Sequence, residues 1–140
     1  MTAKEFLEQA YWAQQEIDIR LEQITRLQSV ATRTTSTLKA TPSGTNAAAQ
    51  SKIERAIVEM QEKENCLAEE ITELIKITDR VSAAIAQVKN PVEKRILKYR
   101  YVCFFSWKQI SLLMKMGRSN LFRLHAEALE NFSAHWTRLD

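Results

Sequence analysis

Glycine and proline are nearly absent, with two of each in 140 residues. Tight turns and sheet hairpins draw on both, so their scarcity weighs against a strand-rich fold and favours long helices. Long apolar runs are missing too. No stretch approaches the roughly 18 uninterrupted apolar residues of a membrane span, and the N-terminal "MTAKEFLEQAYW" has no signal-peptide pattern. The expectation is a cytoplasmic protein with no membrane partner. Cys66 and Cys103 stand far apart, outside any CxxC or Cys/His metal spacing, so they read as reduced thiols and no metal site is expected. The chain also lacks a glycine-rich phosphate loop, an HExxH and a nucleophile beside a base. Neither catalysis nor a bound cofactor is expected.

What is present is divided unevenly. Residues 1–89 carry 11 Lys/Arg against 13 Asp/Glu, whereas residues 90–140 carry 9 against 4. Positive charge gathered at one end suits a polyanionic partner and places a boundary near Asn90.

In the first part, Phe6, Ala10, Ala13, Ile17, Ile24, Leu27 and Ala31 recur at alternating spacings of four and three, with Arg20 in the one polar slot. A second stripe runs Ile53, Ile57, Met60, Glu64, Leu67, Ile71, Leu74, Thr78, Val81, Ile85, Val88, broken only by Glu64 and Thr78. Both are coiled-coil seams, and polar seam residues of this kind set register. The second helix would run roughly 50 Å and needs a partner helix along it. Between the stripes lies "TRTTSTLKATPSGTNAAAQ", residues 32–50. Threonine and serine compete with the helix backbone for hydrogen bonds, so this stretch is predicted to be a loop. Residues 3–89 then form an antiparallel helical hairpin whose first helix is about two turns shorter than its second. Two arrangements would cover the remaining stripe. Further helices of the same chain could pack on it, or a homodimer could form through Ile57, Met60, Leu67, Ile71, Leu74 and Val81.

The last fifty residues read as shorter helices. Asn90, Pro91 and Glu93 make a helix start, with Ile96, Leu97, Tyr99 and Tyr101 as core candidates. Ser106 with Gln109 predicts a capping box opening "WKQISLLM". Ser111, Lys115 and Leu121 stand at the offsets of a helix-turn-helix, with Ile110, Met114, Met116 and Leu124 as apolar support. Arg118, Ser119, Phe122 and Arg123 would turn outward on the second helix, able to meet phosphates and base edges. Lys108 and Lys115 suit phosphates better than bases, since lysine lacks a planar fork.

Residues 90–132, "NPVEKRILKYRYVCFFSWKQISLLMKMGRSNLFRLHAEALENF", resemble the helix-turn-helix with which sigma factors read the −35 promoter element. The similarity is greatest in "RYV", "SWKQIS" and "RSNLFRLHAEAL". Phe104 stands in place of that family's loop glycine and Lys115 in place of its turn glycine. With the long hairpin added, residues 4–132 resemble the ArpU/RinA-like family of transcriptional regulators from phages of Gram-positive bacteria. The resemblance implies an all-α protein whose hairpin precedes a sigma-like DNA-binding unit at 90–140. It also implies a regulator of late phage genes that binds specific double-stranded DNA at promoters in the bacterial cytoplasm. A protein-binding module is the alternative, its coiled coil contacting a repressor or host RNA polymerase. Three aromatic positions stay open. His125 is a packing histidine or a phosphate contact, and Trp107 a core plug or a base-stacking group. Phe122 meets thymine methyls or packs on the helix at 91–101.

Overall fold

The structure is a computed structural model that describes residues 1–40 and 47–139. Those residues form five helices and no strand: α1 (Ala3–Ala40), α2 (Ala47–Ala86), α3 (Pro91–Tyr101), α4 (Trp107–Met114) and α5 (Arg118–Leu139). The all-helical class expected from the missing glycine and proline is observed. The start of α1 is fixed by a reciprocal cap, in which Thr2 Oγ1 accepts from the Glu5 N–H at 3.1 Å and Glu5 Oε2 accepts from the Thr2 N–H at 3.2 Å.

The predicted loop at 32–50 is mostly helix. α1 continues to Ala40 and α2 begins at Ala47, which leaves 41–46, with Pro42 and Gly44, outside the described residues. The threonines do not compete destructively. Thr25, Thr32 and Thr34 donate to the carbonyls of Leu21, Gln28 and Val30 one turn back, at 2.9–3.0 Å, so each hydroxyl is satisfied inside the helix. The remaining propensity cost is only about half a kcal/mol per residue. At 38 and 40 residues the two helices are also nearly equal, and the expected two-turn shortfall of the first does not exist.

The chain forms two compact units, one of residues 16–73 and one combining 1–15 with 74–140. The 16–73 unit is a two-helix arm. Arg20 Nε donates to Glu70 Oε2 at 2.8 Å, and Gln28 Nε2 donates to Glu64 Oε1 at 3.0 Å. Partners that climb one helix while descending the other make the pair antiparallel. The two bonds use the polar slot of the first seam, Arg20, and a polar break of the second, Glu64. Seam residues Ile24, Leu27, Ile57, Met60, Leu67 and Ile71 are all half-buried and none is fully enclosed. Ile17, beside the unit's boundary, is buried at 6% exposure; farther along, two helices shield each other along one line only and the seam stays half-covered.

The other unit has fully enclosed cores. Ala3, Leu7 and Ala10 of α1, Val81 and Ile85 of α2, Leu97 and Tyr101 of α3, and Ala128 and Phe132 of α5 form one cluster. Phe6, expected on the seam, is partly buried beside this cluster and stacks on Phe132 and Trp136, while Leu7 takes the enclosed position. A second cluster joins Ile96 of α3, Ile110 of α4 and Leu121 of α5. Adjacent residues Ile96 and Leu97 face different clusters, so α3 serves both. Val81 is wholly buried in the first cluster, which removes it as a surface for a second copy. The expected start of α3 is observed: Asn90 Oδ1 accepts from the Val92 and Glu93 N–H groups, with Pro91 at the first position. The buried Glu93 carboxylate accepts from Asn131 Nδ2 at 2.7 Å, tying α3 to α5.

Candidate nucleic-acid interface

α4 opens as its sequence predicts. Ser106 Oγ accepts from the Gln109 N–H, and the Gln109 side chain accepts from the Ser106 N–H. It closes at Lys115, whose backbone is left-handed at φ 54°, ψ 47°, and whose N–H bonds back to the Ser111 carbonyl. The Met116 N–H reaches that same carbonyl, and Ser111 Oγ donates to the Met116 carbonyl at 2.5 Å. A small hydroxyl residue at 111 therefore latches the turn that follows.

The two positive-φ non-glycine residues among those described are Phe104 (φ 58°) and Lys115. These are the two positions at which the sequence departs from the glycines of the sigma-like pattern. The backbone adopts the glycine-favoured conformation at both, at a steric cost of roughly 1–2 kcal/mol each. At Phe104 the cost is offset by its ring, which packs against the first core and meets Tyr11 edge-on at 6.0 Å. Gly117 needs no such freedom, since a Cβ there would meet nothing within 4 Å. It precedes α5 as a cap without a side-chain acceptor, and its carbonyl receives the Leu121 N–H. The first N–H groups of α5 are left without a side-chain cap from Gly117, beside the exposed Arg118 and Ser119.

Leu121 is enclosed and Leu124 half-buried, while Arg118, Ser119, Phe122 and Arg123 are exposed along the opposite side of α5. Lys108 on α4 and Lys115 in the turn that follows it are both exposed. No acidic side chain pairs with Lys108, Lys115 or Arg118 among the described residues. Arg123 is held differently: it donates to Glu127 Oε1 at 3.0 Å and to Asn120 Oδ1 at 2.7 Å, so its guanidinium plane is fixed by its own helix. Phe122 packs edge-on against Trp107 of α4 at 5.3 Å. Leu112 and Leu113, not singled out from sequence, are also exposed on α4, at 72% and 52%. Their exposure was unreadable because an eight-residue amphipathic stretch fixes no unique inner face.

His125 and Trp107 sit behind this surface. His125 Nε2 lies 3.0 Å from the Tyr101 hydroxyl, and its ring stacks on Tyr101 and meets Trp107 edge-on at 4.6 Å. Burial, reinforced by the charges of Lys4 and Arg100, drives its pKa down to about 4, so it stays neutral. Burial likewise pushes Tyr101 up to about 12. The Arg100 guanidinium lies 4.6 Å over the Trp107 ring. Half-buried and ringed by these groups, His125 and Trp107 behave as packing residues.

Among the described residues no cluster of His, Cys, Asp or Glu could hold a metal ion, and no helix is long and apolar enough to cross a membrane. Cys66 and Cys103 are free and exposed. No protein-family model, curated protein or solved structure matches the chain.

Proposed function

We propose that the chain is a double-stranded DNA-binding regulator whose α4–turn–α5 segment works as a sigma-like helix-turn-helix. The observation that carries this reading is the cationic surface of Lys108, Lys115, Arg118 and Arg123 around the exposed start of α5. Only Glu127 among the described residues pairs with any of the four. The left-handed residue at the turn and the Ser111 latch support it further, because they hold α4 and α5 at a fixed angle. In this reading Arg118 and Arg123 reach base edges, Lys108, Lys115 and Ser119 grip phosphates, and Phe122 offers apolar contact. The chain acts by binding, with no catalytic step. A role at phage late promoters, as in the ArpU/RinA-like regulators, is the most specific form of the proposal. Replacing Arg118 and Arg123 together by Ala should weaken binding to a preferred duplex by about 2–6 kcal/mol if both read bases, with the helical content unchanged. Unchanged affinity in the folded double variant would end the assignment.

A homodimer through the arm belongs to the same proposal. Ile57, Met60, Leu67 and Ile71 keep part of their surface, and Ile19, Leu21 and Val58 are more than 45% exposed. A second copy would finish a core that two helices leave half-made, and would double the phosphate contacts on spaced half-sites. Ile71→Glu should then lower both the sedimentation mass and the DNA affinity. A wild-type chain that sediments as a monomer at tens of micromolar, yet binds DNA tightly, would exclude the dimer. The same exposed apolar surface supports the second reading, a module that docks a repressor or RNA polymerase. Such an interface would tolerate salt that strips the chain from DNA.

A further inference from the structure

A cleft of about 590 Å³ opens in the unit formed by residues 1–15 and 74–140, lined by His125 and Trp107 and, from the edge of the first core, by Tyr101 and Phe104. Its volume falls within the range of small-molecule sites. Three chemistries meet there. Aromatic rings come from Tyr11 and Trp12 of α1 and from Trp107 at the start of α4. Positive charge comes from Lys4 and Arg100, and a carboxylate acceptor from Glu8.

Trp12 is the unusual member. Its indole is 66% exposed and meets Tyr11 edge-on at 5.4 Å. An aromatic face left open beside cations is a stacking platform in search of a ring. Lys4 and Glu8 touch only at 4.0 Å and are 61% and 47% exposed, so neither is committed to the other. Arg100 spends one N–H on the Phe105 carbonyl at 3.1 Å and keeps the rest of its fork. An aromatic hydrocarbon would leave the two cations and the carboxylate unused, and a simple anion would leave the rings unused. A nucleotide uses all three groups.

We propose that this cleft binds a nucleotide with an amino-bearing base. The base stacks on Trp12, the phosphate is met by Lys4 and Arg100, and Glu8 accepts from the exocyclic amino group. The neutral His125 adds no charge, which leaves two cations against one carboxylate and a net attraction for an anion. Two sources carry this chemistry, a free nucleotide and an unpaired nucleotide within a DNA strand. The cleft lies behind the α4–α5 surface, with Trp107 packing on Phe122, but its lining includes none of Lys108, Lys115, Arg118 and Arg123, so it could exist in a chain that binds no duplex at all.

The test uses the full chain and the indole N–H signals of its three tryptophans. AMP should shift the Trp12 and Trp107 signals saturably and spare Trp136, which stacks on Phe6 outside the cleft. Trp12→Ala should weaken AMP binding about tenfold or more, the loss expected for one base–aromatic stack. Lys4→Glu should weaken it independently, and both positions are exposed enough that the fold survives. Competition with an adenine-rich single strand then assigns the source. A strand that displaces AMP at much lower nucleotide concentration makes the DNA strand the ligand, and equal or weaker displacement makes it the free nucleotide. The proposal is overturned if AMP shifts nothing, if inorganic phosphate alone reproduces the shifts, if Trp136 moves with the others, or if both variants bind AMP as the wild type does.

Discussion

Leu67 and Val81 occupy the same heptad position of one stripe on α2, yet Leu67 is half-buried and Val81 is 0% exposed. The stripe does not set the difference. Around Val81 the stripe is covered by α1, α3 and α5, whereas around Leu67 it meets one antiparallel helix. Heptad spacing specifies which side of a helix is apolar, and the number of neighbours decides what that side is worth. The arm should accordingly open locally at lower free energy than the unit that holds the enclosed cores.

The strongest way to break this comparison is to cut at the charge boundary near Asn90. Residues 90–140 alone lose Ala3, Leu7, Ala10, Val81 and Ile85, the cover over Leu97, Tyr101, Ala128 and Phe132. That fragment should show no cooperative melting by circular dichroism. A chain in which a short linker replaces residues 16–73 should keep it. A sharp transition in the 90–140 fragment would mean that the second core around Ile96, Ile110 and Leu121 suffices.

Next in size is a matched pair of truncations. Ile85→Ala should cost about 2–5 kcal/mol in denaturant unfolding, because the site is fully enclosed. Ile71→Ala in the arm should cost about 1 kcal/mol, since its side chain is only half removed from water. Equal losses would erase the distinction between the two units.

Acid provides a smaller effect confined to one unit. His125 is neutral in the fold with a pKa near 4, against an ordinary 6.5, because burial and the facing Lys4 and Arg100 oppose its charge. The unfolded chain therefore takes up a proton that the folded chain refuses, and stability falls as pH drops from about 6.5 toward 4. For a fully enclosed ring this gap corresponds to about 3 kcal/mol, and the partial exposure of His125 reduces it to about 1.5 kcal/mol. His125→Gln should flatten that part of the stability profile.

The smallest effect is a gain. Lys115→Gly relieves a left-handed backbone at an exposed residue and should stabilise the fold by about 0.5–1 kcal/mol. The same replacement at Phe104 should not, because that ring packs on the core. A loss of stability in Lys115→Gly would show that the lysine side chain compensates its own strain.

The sequence carried most of the local architecture. Asn90–Pro91, the Ser106–Gln109 box, the two seams and the outward set on α5 are local or periodic signals, and each appears where its spacing placed it. Thr2 with Glu5 is an equally local capping signal. The stretch at 32–40 is helical against its composition because threonine propensity is a small term that back-bonding overrides. The enclosure of Val81 and the cleft around Trp12 and Trp107 were not legible at all. Both depend on α1 and α2 meeting residues of α3–α5 distant in the chain, which no local pattern encodes.

The most direct test of the proposed function is the salt dependence of duplex binding by the wild-type chain. Two lysines gripping phosphates, Lys108 and Lys115, imply a slope of about −2 per chain when the logarithm of the association constant is plotted against that of salt concentration. Removing Lys108 and Lys115, the pair assigned to phosphates, should make that line nearly flat. A wild-type line of that slope with this change on substitution is the predicted result. A flat wild-type line, or a sloping one that the substitutions leave unaltered, would contradict DNA binding through this surface.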